Sequence, residues 1–348
     1  MRRGRFFLMA SRALLIFGGL DDAHVRFPER ILRHNGFACF FYDPLRLMSV
    51  TMSPTEESKK PSLIVERIVS DDGKESIFRE KLEIPYSSPV VWLRNKKFVD
   101  FIESERDQWA YISSREHTEF IKTLVRMYEL KCINELHSII LVRHKANQIR
   151  IARDSGFRVP PTLLSSDREE IINFCNRYKN IIVKPISTNF VPPPIDGRAN
   201  FVTIMTNSVT LQEILQTDEE AFAAAPAIYQ KRIEKAYEIR LVAFGEEAVA
   251  YKIDSQRSEA GALDWRRAQY EDIYEWTEAT PEMRRLSARF LRHAGLHYGV
   301  FDLVVDCNNK LWFLECNADG QWAWLEPQGD GPIARMFARQ IQKLLGNP

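Results

Sequence analysis

The chain has 348 residues, 45% of them hydrophobic and 27% charged, with a formal net charge of +1. That length holds two or three packed subdomains, and the composition is that of an ordinary globular protein. The charge balance gives no basic stripe or acidic tail to argue for nucleic acid, and no apolar run approaches the length of a membrane span.

At the N-terminus Arg12 interrupts the apolar run, which leaves segments too short for a signal peptide. The first ten or so residues read as a disordered extension, with Met9 as an alternative start. Residues 13–17 then read as a buried strand, Gly18-Gly19 as a turn, 23–35 as a helix and 36–42 as a second strand. This is a parallel α/β opening. Residues 48–85 read as short antiparallel strands around an Asp71-Asp72-Gly73 turn, and 89–94 as another strand. Ser104 caps a long helix over 104–130. A helix over 145–155 stops at Gly156, and Pro160-Pro161 make 157–162 an edge strand.

Asp167 begins a helix to Tyr178, 181–184 form a buried strand ending on Lys184, and 208–215 form a short helix. A hairpin of 237–244 and 248–254 projects Glu238, Arg240 and Lys252 among apolar neighbours. Helices over 282–293 and 332–345 flank a last hairpin. There is no internal repeat. Five scattered cysteines (Cys39, Cys132, Cys175, Cys307, Cys316) contain no C-x-x-C pair. They indicate a reducing, cytoplasmic setting with free thiols rather than a disulfide frame or a zinc site.

The last hairpin is the most informative segment. Residues 300–305 and 311–314 supply branched and aromatic residues that suit strands. A two-residue loop at Asn308-Asn309 sets Asp302 directly opposite Glu315, with Asn317 on the same face one step further on. Two facing carboxylates about 5 Å apart repel each other. Their pairing makes sense around a hard divalent cation, with the Asn317 amide oxygen as a third ligand. Alternation turns Cys316 to the opposite face, into the core.

The order of these pieces resembles the ATP-grasp superfamily from about Lys145 to Asn317. It runs from a helix opening on lysine through G-x-x-V-P-P-T, a strand ending Lys-Pro, Q-x-x-I and E-I-R, to Asp302 and Glu315-x-Asn317. Residues 313–326 further resemble the E-x-N-P-N-G-Q-W-x-W-I-E signature of the graspetide (microviridin-type) peptide-cyclising ligases. Gly18-Gly19-Leu20-Asp21-Asp22-Ala23-His24, Val91-Trp92-Leu93-Arg94, Cys132-Ile133-Asn134, Lys252-Ile253-Asp254-Ser255-Gln256 and Asp264-Trp265-Arg266 also match, so the likeness covers nearly the whole chain. Two departures stand out. Ala318 and Asp319 replace the relatives' proline and asparagine. The loop over 186–200 carries three consecutive prolines, which lack the N–H groups of a phosphate cradle.

The resemblance implies an ATP-grasp fold of two α+β subdomains gripping ATP, preceded by a parallel α/β pre-ATP-grasp domain. The expected boundaries are 1–110, 111–226 and 227–348. It also implies an ATP- and Mg2+-dependent ligase. Such an enzyme would activate Asp or Glu side chains of a precursor peptide as acyl phosphates and close ω-ester or ω-amide rings with Ser, Thr or Lys. Asp302, Glu315 and Asn317 would hold magnesium. Lys145 and Lys184 would face the phosphates, with Gln230, Lys231, Arg232 and Ile233 at the adenine. Glu238, Arg240, Lys252 and Arg266 would line the reacting centre. Leader capture would fall between about 190 and 226, and a homodimer is implied. A RimK-like amino-acid ligase and a nucleotide-binding module without ligase activity are the alternatives, the G-Q-W-x-W-x-E tail arguing against the first.

Overall fold

The computed structural model describes residues 13–43, 46, 48–56, 59–71, 74–84, 89–94, 105–186, 190–191, 202–203, 206–257, 261, 263, 265 and 273–346. The N-terminal extension, the proposed Ser104 cap, Asp264, Arg266 and the three prolines of 192–194 lie outside these residues. The chain divides into two compact units, 1–137 with 296–298 and 321–348, and 138–295 with 299–320.

The first unit opens with β1 (Ala13–Phe17), α1 (Ala23–His34), β2 (Ala38–Tyr42), β3 (Val50–Thr51), β4 (Ser62–Asp71), β5 (Lys74–Glu83), β6 (Val90–Leu93), α2 (Glu105–Met127) and β7 (Cys132–Ile133). The order β3-β4-β2-β1-β6-β7, with β5 on β4, makes a seven-stranded sheet. Its centre is parallel, β1 pairing with β2 and β6, and β6 with β7. Ala13-Leu14-Leu15-Ile16-Phe17 is wholly buried because a parallel strand is covered on both faces. Ile121, Leu124 and Val125 of α2 pack into the cluster holding Leu15 and Val91. The region 48–85 differs from the expectation of short strands. β4 and β5 pair over ten residues each, from Ser62 opposite Glu83 to Asp71 opposite Lys74.

Several motifs of the resemblance do structural work here. Asp22 caps α1 by accepting from His24 N at 3.0 Å, and it also accepts from buried Arg94 Nε at 2.9 Å. Burial alone would raise the Asp22 pKa, but His24 and Arg94 outweigh it and hold the carboxyl well below the usual range. Asn134, fully enclosed, donates to Tyr298 O at 2.8 Å and accepts from His297 N and Tyr298 N at 2.7 and 3.0 Å. The last helix of the chain, Pro332–Leu345, also belongs to this unit. Its first N–H groups, on Ile333 and Ala334, are satisfied by the buried Glu326 carboxylate at 2.6 and 3.1 Å. Its Phe337 stacks on Trp322 and on Trp92. The W-x-W-x-E tail is thus a core aromatic and a helix cap.

The second unit continues with α3 (Leu136–Arg143), α4 (Lys145–Ser155), β8 (Thr162–Ser165), α5 (Arg168–Tyr178), β9 (Ile181–Lys184), β10 (Phe190–Val191), β11 (Val202–Thr203), β12 (Asn207–Val209), α6 (Leu211–Gln216) and α7 (Glu219–Ala224). It closes with β13 (Ala227–Lys231), β14 (Lys235–Phe244), β15 (Glu247–Ile253), β16 (Tyr274–Thr277), α8 (Pro281–Ala294), β17 (Tyr298–Asp306) and β18 (Leu311–Asn317), before the final helix, α9. Two sheets result, β12-β9-β13-β8 and β16-β15-β14-β17-β18. The helix over 145–155 ends as expected at Gly156, whose φ of +95° favours glycine. The edge strand falls after the prolines rather than on them, beginning at Thr162. The helix expected over 208–215 is split, because 207–209 pair with β9 and Thr210 caps a helix starting at Leu211.

Gly320 shows why the tail begins as it does, since a Cβ there would sit 2.4 Å from Val300 Cβ. Gly320→Ala is expected to cost about 1–3 kcal/mol through overpacking. This would appear as a lower urea midpoint at unchanged slope, and an unchanged midpoint would show that the backbone yields without strain.

Candidate functional site

The expected pairing of Asp302 with Glu315 is present, as is Asn317 on the same face, opposite Val300. The route to it differs from a two-residue turn. Leu303 pairs with Phe313 where such a turn would demand Leu314, so a bulge falls at Leu314. The loop itself is one residue longer: Asp306 N donates to Lys310 O at 3.0 Å, and Asn309 takes a left-handed φ of +58°. Asp306 fixes this turn by accepting from Asn308 N, Lys310 N and Trp312 Nε1 at 2.9, 2.8 and 2.8 Å. Those bonds, led by that from Lys310, hold its carboxyl below the ordinary range. The longer loop and the bulge cancel, returning Asp302 and Glu315 to register.

The five-stranded sheet places Arg240 beside them. Arg240 Nη1 donates to Asp302 Oδ1 at 2.5 Å, and both side chains are buried. Glu238, two residues earlier on β14, shares that face by alternation. It is buried and accepts from Lys235 Nζ at 2.7 Å. Asn317 Nδ2 lies 3.2 Å from Glu315 Oε1, leaving Asn317 Oδ1 as the atom a hard cation would take. The opposite face is apolar: Phe290 of α8 and Phe157 both pack on Phe301 and Phe313. Cys316 is on that side, and burial first, then Glu315 and Asp302, push its thiol well above its ordinary range. It is a core thiol, not a nucleophile.

In the four-stranded sheet, α5, α6 and α7 bury one face through Ile171, Ile214 and Phe222 against Ile181 and Tyr229. The other face carries Lys184, Ile228 and Leu164 in one cross-strand row and Ile182, Gln230 and Thr162 in the next. Lys184 Nζ donates to Gln230 Oε1 at 2.9 Å, and Gln230 Nε2 donates to Thr162 Oγ1 at 2.8 Å. Lys145 Nζ donates to Pro185 O at 2.8 Å, next to Lys184. One helix ties these lysines to the carboxylates. Gln148 of α4 donates to Val142 O at 2.6 Å and accepts from Cys316 N at 2.8 Å, between Glu315 and Asn317.

The remaining expected residues are placed elsewhere. Lys231 and Arg232 are exposed, and Lys231 alternates away from Gln230. Ile233 follows the end of β13 and is half-buried. Lys252 pairs with Ile239 and Glu275, so it lies on the face opposite Arg240. It forms an ion pair with Glu275 at 3.5 Å and sits over the Tyr237 ring. Sequence reading missed Lys235, Gln148 and Thr162. Lys235 gave no signal, because residues three apart do not share a face of a flat strand.

Among the described residues no cluster of three or more His, Cys, Asp or Glu side chains could hold a metal alone. Two carboxylates and an amide nonetheless fit magnesium, which takes few protein oxygens and completes its shell with phosphates and water.

No protein-family model matches the chain, and no curated protein matches it. Solved structures do. An ATP-grasp ligase of Chryseobacterium gregarium, RiPP-associated and in complex with ADP and a leader and core peptide, matches with a TM-score of 0.73 at 22% identity, covering 96% of both chains. The macrocyclase MdnC of Microcystis aeruginosa MRC, bound with precursor peptide MdnA, matches with a TM-score of 0.73 at 21% identity, covering 96% of this chain and 98% of that one. The ATP-grasp ligase PsnB, complexed with a minimal precursor, Mg and ADP, matches with a TM-score of 0.69 at 20% identity, over 97% and 98%. The chain has the fold of these ATP-grasp ligases.

The Arg240–Asp302 pair can be tested without any substrate. Removing one partner of a buried ion pair leaves an uncompensated charge, so Arg240→Met is expected to cost about 3–5 kcal/mol in a urea titration. Adding Asp302→Asn to that variant is expected to recover a large part of the loss. Additive losses would show that the two groups are not coupled.

Proposed function

We propose that this protein is an ATP-dependent peptide ligase that closes ester or amide rings in a precursor peptide. The observation that carries the reading is the row Arg240, Asp302 and Glu315 across three strands of one sheet face, with Asn317 beside it. It is supported by the full-length likeness to ligases described in complex with ADP and precursor peptides.

In this reading a carboxylate oxygen of a peptide Asp or Glu attacks the γ-phosphorus of ATP, and ADP leaves with the electrons of the broken P–O bond. A Ser or Thr hydroxyl or a Lys amine then attacks the acyl carbon. Phosphate departs and the nucleophile loses its proton, so the peptide loses one water per ring. Magnesium held by Asp302, Glu315 and Asn317 would neutralise phosphate charge. The planar fork of Arg240 suits the substrate carboxylate or the transferring phosphoryl group. Lys184, aligned by Gln230 and Thr162, and Lys145 would face the phosphates. Ile182, Ile228 and Leu164, on the sheet face that carries Lys184, offer an apolar floor for adenine. Cytoplasmic location and a homodimer complete the reading.

The test is mass spectrometry of a candidate precursor peptide, sought among short reading frames next to this gene, after incubation with the protein, ATP, Mg2+ and free amino acids. Loss of one or more waters, abolished by Glu315→Gln, is expected. A mass gain by added amino acid would identify an amino-acid ligase instead. An unchanged mass with nucleotide still bound would identify a binding module.

A further inference from the structure

The row that contains Arg240 does not stop at β14. Tyr251 of β15 is paired with Arg240, and Trp276 of β16 is paired with Tyr251. Paired residues of antiparallel strands share a face. One face therefore carries, in a line across all five strands, Trp276, Tyr251, Arg240, Asp302 and Glu315. The inner members are enclosed, with Tyr251 and Arg240 each 6% exposed and Asp302 8%, whereas Trp276 is 59% exposed. Tryptophan is a highly buried residue on average, and its large face is more useful at a contact than in water. Its neighbours on β16 differ in kind: Glu275 alternates to the other face, where it meets Lys252.

We propose that Trp276 is a specificity-determining platform for the peptide substrate, which crosses the strands along this row with its reacting Asp or Glu at Arg240. The inference rests on the ligase reading above and adds a contact and a spacing to it. Two strand separations put Trp276 roughly 10 Å from Arg240, and an extended peptide covers that in about three residues. The indole accordingly packs on the substrate side chain about three positions from the activated carboxylate. Tyr251 lies beneath the intervening residues. Such a contact binds the peptide without touching the phosphates, so it sets the Michaelis constant for peptide and not that for ATP.

The experiment uses the full chain and the precursor whose dehydration establishes the ligase reading. Trp276→Ala is expected to raise KM for the precursor about tenfold, as loss of a buried aromatic contact does. kcat and KM for ATP should stay near wild type, and Trp276→Phe should restore most of the loss. Alanine substitution along the precursor is expected to find one position, about three residues from the activated carboxylate, whose effect vanishes in the Trp276→Ala enzyme. An unchanged KM for peptide overturns the inference. So does an equal loss of ATP affinity, a shift in oligomeric state on sizing, or additivity at every precursor position. If the wild-type protein dehydrates no precursor, it is the ligase reading that fails, which separates the two outcomes.

Discussion

Everything in the candidate site depends on a repulsion. Asp302 and Glu315 face each other across neighbouring antiparallel strands, an arrangement that costs stability unless positive charge intervenes. Arg240, buried beside Asp302, supplies one such charge from the adjacent strand. A guanidinium held in this way cannot move far, because its strand is flanked on both sides in the sheet. The pair therefore fixes the position of a fork whose other N–H groups suit an anionic substrate. The second positive charge, a divalent cation with nucleotide phosphates, belongs to the proposed working state rather than to the folded chain alone.

The backbone around that pair is built to keep it in register. A three-residue turn set by Asp306 would shift the facing residues by one, and the bulge at Leu314 shifts them back. Either irregularity alone would move Glu315 to the other face, among the phenylalanines. On that other face α4 performs a second task. Its Gln148 grips the backbone between Glu315 and Asn317, while its first residue, Lys145, reaches the end of β9 beside Lys184. One short helix thus couples the carboxylates to the lysines of the neighbouring sheet.

Much of this was legible in the sequence because it rests on alternation and local signals. The buried strand Ala13–Phe17 follows from a continuous apolar run and the helix stop at Gly156 from glycine chemistry, whereas the facing of Asp302 and Glu315, expected from a two-residue turn, is reached through a longer loop and a bulge that cancel. What was not legible depends on pairing between distant strands. Nothing in the order of Lys252 and Arg240 tells that they occupy opposite faces, since that is decided by the register of β14 on β15. Gln230 read as an adenine-hinge residue, yet its amide bridges Lys184 and Thr162, a relation created only when β8 and β9 flank β13. The tail matches a signature of the resembling ligases, and the structure uses its Trp322 and Glu326 as core and cap. Motif likeness marks an architecture here, and the groups suited to chemistry stand on the sheet face.

The most direct test of that face is to grow crystals of the chain with ADP and Mn2+ and locate the metal by its anomalous scattering. The site described here requires a peak between Asp302 and Glu315, within coordination distance of Asn317 Oδ1 and a phosphate oxygen of the nucleotide. Nucleotide bound with no metal at these three residues, or with the metal held elsewhere, would contradict it.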